Sequence, residues 1–144
     1  MSRIFLWVFF SATLLFAELP PGWWTHYVSF ALKKDQIQHV EIIERTSGKV
    51  HKLAFRWTLY VNGGLVMHVA YDKRRFQPLL YMSYHRDSFR FDLFPKPKDA
   101  TYRPFETPYA LLIFKAYDKE KGVVWFDLLM QTFDNSEIYY KQGQ

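Results

Sequence analysis

RWTLYVNGGLVMHVAYD, residues 56–72, alternates side chains of opposite character, breaks at Asn62-Gly63-Gly64, and alternates again. A period of two flanking an Asn-Gly turn is the pattern of a β-hairpin. Parity fixes its register, because a slip of one residue turns a whole strand inside out. A two-residue Asn62-Gly63 loop sets Trp57 opposite His68. A three-residue loop pairs Val61 with Leu65, Leu59 with Met67, Trp57 with Val69 and Phe55 with Tyr71. The second choice makes one face wholly apolar and puts Gly64 where a left-handed residue forms a bulge, so it is the expected register.

The same test extends along the chain. Around Ser47-Gly48 it pairs Ile42 with Leu53 and Val40 with Phe55. Around Arg86-Asp87 it pairs Tyr84 with Phe89, Met82 with Phe91 and Leu80 with Leu93. Around Lys119 to Lys121 it pairs Phe114 with Phe126, Leu112 with Leu128 and Ala110 with Met130. Turn signals recur about every 8 to 12 residues, which is the all-β signature. Residues 27–32 read as a further strand, with a short helix as the alternative because Trp24, Val28 and Leu32 would share a face. The expected fold is an all-β antiparallel meander of seven or eight strands, closed as a small barrel, a half-barrel or a sandwich.

The N-terminus reads differently. MSRIFLWVFFSATLLFA carries Arg3, an apolar run of about 14 residues, short of the ~20 that span a bilayer as a helix, and a small Ala17. Glu18 and a Leu-Pro-Pro-Gly turn follow. This is the layout of a cleavable signal peptide over 1–17, leaving 18–144 as one β-rich exported domain, periplasmic or extracellular. An uncleaved anchor is the alternative. The chain has no cysteine, which excludes Cys-type metal sites, a Cys nucleophile and disulfide staples. Its stability must come from packing, and aromatics supply 20% of the residues. Setting Arg3 aside leaves 18 basic and 14 acidic side chains, a net of +4. For an exported chain this modest excess points to a protein or an anionic envelope component, such as a glycan or lipid headgroup, and not to nucleic acid.

Under the expected registers His39, Glu41, Arg56, His68 and Asp72 share the face away from the core. The two histidines stand on non-adjacent strands, roughly 10 Å or more apart at ~4.8 Å per strand, too far for one ion. The patch therefore reads as a polar binding face or a solvated one in which Arg56 pairs with Glu41 and Asp72. Lys73, Arg74 and Arg75 precede Phe76 at a strand end and could hold an anionic group. The proline-rich connection from Phe94 to Pro108 reads as a crossover between sheet halves or as a binding or lid loop with Tyr102, Arg103 and Phe105 as contacts. His51 and His85, near hairpin ends, read as surface residues. The outward positions Tyr60, Val66, Tyr81, Leu111, Ile113 and Trp125 are unusually apolar, which suggests a covered layer, a partner surface or lipid.

No GxSxG, HExxH or phosphate-loop pattern is present, so no catalytic residue, metal or cofactor is expected. The expected function is non-catalytic binding of a protein or anionic envelope component. The alternatives are a lipocalin-like carrier of a small apolar ligand, although the core side chains look too large to leave a cavity, and a small outer-membrane β-barrel. The last would turn the apolar strand faces to lipid.

Overall fold

The computed structural model describes residues 24–83, 85–94, 107–133 and 135–142. The expected signal segment, Tyr84, Tyr102, Arg103 and Phe105 lie outside them. The described residues are all β, with no helix. The strands are β1 His26–Lys33, β2 Gln38–Glu44, β3 Val50–Val61, β4 Gly64–Tyr71 and β5 Arg74–Phe76. They continue with β6 Leu79–Tyr81, β7 Ser88–Asp92, β8 Tyr109–Asp118, β9 Val123–Gln131 and β10 Ser136–Gln142. Residues 27–32 are thus strand.

The strands form two antiparallel sheets, ordered β1-β9-β8-β7 and β10-β2-β3-β4-β5, with β6 also paired to β4. The order corrects the meander. β1 pairs with β9 and β10 with β2, so partners far apart in sequence take the places of neighbours. The hairpin read at Arg86-Asp87 does not form. Tyr81 makes a single bridge to Arg86, and the chain then leaves one sheet for the other, where Phe89 and Phe91 face Leu112 and Ala110. Alternation shows which side of a strand is buried, and it cannot say which strand lies alongside.

Apolar faces from both sheets meet in one core. Leu53, Phe55, Trp57, Leu65, Met67, Val69 and Tyr71 from β3 and β4 are buried together with Leu112, Phe114, Phe126 and Leu128 from β8 and β9. Rings cross between the sheets: Phe55 meets Phe30 and Phe126 edge-on, and Tyr71 packs on Phe91. Buried polar tips are satisfied across the same gap. Trp57 Nε1 donates to the Leu32 carbonyl at 2.8 Å, and the Tyr71 hydroxyl donates to the Leu93 carbonyl.

The β8–β9 register is as expected: Phe114–Phe126, Leu112–Leu128 and Ala110–Met130. The β2–β3 hairpin is offset by two residues, and the β3–β4 hairpin by one next to its turn and by two further along. Val40 pairs with Leu53 and Ile42 with His51, because the loop has four residues, 45–48, and not two: Glu44 N–H bonds the Lys49 carbonyl, and Gly48, in the left-handed region at φ 68°, bonds back to the Glu44 carbonyl. At the opening stretch the loop has two residues, not three. Asn62 and Gly63 are both left-handed (φ 53° and 76°), the geometry of a type I′ turn, whose twist suits a hairpin. Gly64 is already in the strand, opposite Val61.

A bulge then follows on β3. Leu59 pairs with Val66 but Trp57 pairs with Met67, so Thr58 is the extra residue. It exchanges the roles of its neighbours. Tyr60, read as outward, packs against the core, while Leu59, read as core, is 49% exposed.

The connection from Phe94 to Pro108 is no crossover. Its ends are paired, Asp92 with Tyr109, and Leu93 N–H bonds the Pro108 carbonyl, so it joins neighbours within one sheet.

Candidate functional site

The registers rearrange the expected patch. On β2, His39 lies opposite Ala54 and not Arg56, and Glu41 lies opposite Lys52. Arg56 lies opposite His68, and Ala54 opposite Ala70. Glu41 is held by Lys141 of β10 at 2.8 Å, and that hydrogen bond keeps its carboxyl below the ordinary range. Asp72 turns away through a left-handed backbone, φ 51°, and binds His51. The pairing of Arg56 with Glu41 and Asp72 is therefore absent.

What remains together is cationic. Ala70 has Ala54 on one side and Arg75 of β5 on the other. The two alanines lower the floor of the sheet. A depression of about 290 Å³ lies over them, edged by Ile37, Arg56, His68, Arg75 and Phe76. Among the described residues no carboxylate lies within ion-pair distance of Arg56 or Arg75. An open site with two guanidiniums beside an imidazole suits an anionic group, since the guanidinium fork matches carboxylate and phosphate oxygens.

The Lys73-Arg74-Arg75 run is divided. Arg75 joins this depression. Arg74 lies over the Tyr71 ring, 5.1 Å from its centroid, and its Nη2 donates to the Asp92 carbonyl at 2.6 Å. Lys73 and Arg74 edge a larger opening of about 860 Å³ at the end of the sheets, lined also by Lys49, Asp72 and Asp92. Its charges are mixed and Arg74 is already engaged, so it favours neither sign.

His51 corrects the surface reading: it is 1% exposed. Its Nδ1 lies 2.6 Å from Asp72 Oδ2, and its Nε2 ends 3.6 Å from Glu44 Oε2. The ring stacks on Tyr71 and packs on Phe94. Burial alone would push the Asp72 carboxyl up, but the His51 hydrogen bond, the Lys52 amide and the charge of nearby Lys49 outweigh it and hold it below the ordinary range. The signal for this lay in alternation: His51 has the parity of Leu53 and Phe55. The arrangement resembles the orienting half of an acid–base pair, but the remaining ring nitrogen faces a second carboxylate and no nucleophile. Among the described residues no group of three or more His, Asp or Glu side chains is placed to hold a metal ion.

Asp127 was also missed as a buried acid. It is 7% exposed on the outer face of the other sheet, accepting from Ser29 Oγ at 2.7 Å and the Tyr27 hydroxyl at 3.1 Å, with Lys115 Nζ at 3.6 Å. These partners account for both of its oxygens.

No protein-family model, curated protein or solved structure matches the chain.

Proposed function

We propose that the chain is an exported, non-catalytic β-sandwich domain that binds an anionic component of the cell envelope. The depression over Ala54 and Ala70 is the binding site. One observation carries this reading: Arg56, His68 and Arg75 converge on one open face, and among the described residues no carboxylate lies within ion-pair distance of either guanidinium. Two guanidiniums around a low apolar floor, clear of every described carboxylate, present their charge to an incoming group. The inward turn of the apolar strand faces weighs against the outer-membrane barrel, and the aromatic filling of the core weighs against a carrier cavity.

Titration of the protein with a soluble polyanion and with anionic vesicles, at low and at physiological ionic strength, tests the reading. Binding should weaken as salt rises. The double change Arg56→Gln and Arg75→Gln should reduce it at least tenfold without lowering the melting temperature. Equal binding by the variant would refute the assigned site.

A further inference from the structure

The bulge at Thr58 has a consequence at the surface. Beyond it Leu59 and Val61 point outward, as do Val66 and Tyr81, which pair with them or with Gly64 along the same two rows. Leu59, Val61 and Leu79 are each about half exposed, at 49%, 51% and 50%, and Met82 on the adjoining turn is 55% exposed. These are large apolar side chains on one end of one sheet face. The sequence matches: neither Trp57 to Met67 nor Phe76 to Ser83 holds a charged side chain, while Arg56 and Arg75 stand immediately before them. The apolar end runs directly into the cationic row, since Arg56–His68 is the next outward pair after Leu59–Val66. Tyr81 lies close over Gly64, where an added Cβ would meet its ring at 2.8 Å, so the aromatic flattens onto this face.

An exposed apolar end bordered by cations that no described carboxylate neutralises is the layout of a surface that enters the lipid interface. Apolar groups reach the acyl boundary and basic groups stay level with the phosphates. From the Gly64 row to the His68 row is about 14 Å along the strand, so a tilted sheet end spans both zones. We propose that this end, with Leu59, Val61 and Leu79 leading and Arg56 and Arg75 behind, inserts into a bilayer of anionic lipid. The proposal rests on the anionic-partner reading and names the partner as a membrane surface. Charge complementarity selects lipid of net negative headgroup.

The chain contains no cysteine, so Val61→Cys and, as a control on the other sheet's outer face, Trp125→Cys each accept a single environment-sensitive fluorophore on the full chain. With vesicles containing phosphatidylglycerol, the label at 61 should shift to the blue and be quenched by brominated acyl chains, and the label at 125 should do neither. Pure phosphatidylcholine should leave both unchanged. Arg56→Gln with Arg75→Gln should weaken binding roughly thirtyfold, at the contribution usual for basic residues near an anionic surface. Identical behaviour of the two labels overturns insertion. If vesicles are still bound in a salt-dependent way, insertion fails while the anionic-partner reading stands. Failure to bind either anionic vesicles or soluble polyanion removes both. A shift at 61 that needs an acidic protein, and not lipid, also refutes the membrane as occupant.

Discussion

At the scale of single residues, Asp72 combines two demands. Its backbone is left-handed and its carboxylate bonds both the His51 ring and the Lys52 amide at 2.9 Å. Asparagine tolerates that backbone and alanine does not. Asp72→Asn should therefore lower the melting temperature less than Asp72→Ala. Because the folded carboxyl titrates below its unfolded value, its stabilisation is complete above about pH 4 and is lost as pH falls through the folded value. The gap in melting temperature between the unchanged protein and Asp72→Asn should accordingly narrow as pH falls below about 5, as thermal scans by circular dichroism would show. A constant gap would place the effect in the turn geometry alone. Trp57→Phe keeps most of the ring but strands the Leu32 carbonyl. It should cost about 1–3 kcal/mol in urea unfolding, the usual cost of an unsatisfied buried group.

At the scale of elements, the two glycines of the β3–β4 hairpin differ. Gly63 is left-handed with open space around it, so Gly63→Ala costs backbone energy of about 1 kcal/mol. Gly64 lacks that backbone, and the atoms facing it belong to the far end of the Tyr81 side chain, which can swing aside. Gly64→Ala should be milder, and urea titrations of the pair would reverse the order if the Tyr81 contact were rigid. These elements also mark how far alternation could be read. It placed Leu53, Phe55, Trp57, Met67, Val69 and Tyr71 in the core correctly, because a two-residue offset preserves parity. It failed at Leu59 and Tyr60, because a bulge inverts parity without leaving a mark in composition. It gave the β8–β9 pairs from Ala110 to Phe114, and the bulge at Lys115 shifts the register by one beyond the pairs that were read. The site suffered more, since binding faces depend on which residues lie opposite and not on parity alone. Arg56 and His68 share a face in either register, but they lie opposite each other and meet Arg75 only in the observed one, while His39, Glu41 and Asp72 are drawn elsewhere.

At the scale of the molecule, both sheets contribute to a single core, so heat or urea should unfold them together. Near- and far-ultraviolet circular dichroism should give coincident transitions, and two separate midpoints would contradict a shared core. Phe126→Ala, at the centre where Phe55 and Phe114 meet, should cost about 3–5 kcal/mol. The sequence could not disclose this level, since β1 finds its partner about a hundred positions away: His26 lies opposite Met130. That pairing also orders events in time. On the ribosome, the first strand has no sheet to join until the ninth has been synthesised, and β2 gains its outer neighbour only when the last strand emerges. Closure of such distant pairs is slow. The first strand of the nascent chain thus lacks its sheet partner through most of translation, and refolding should be markedly slower than for a hairpin-only protein of this length.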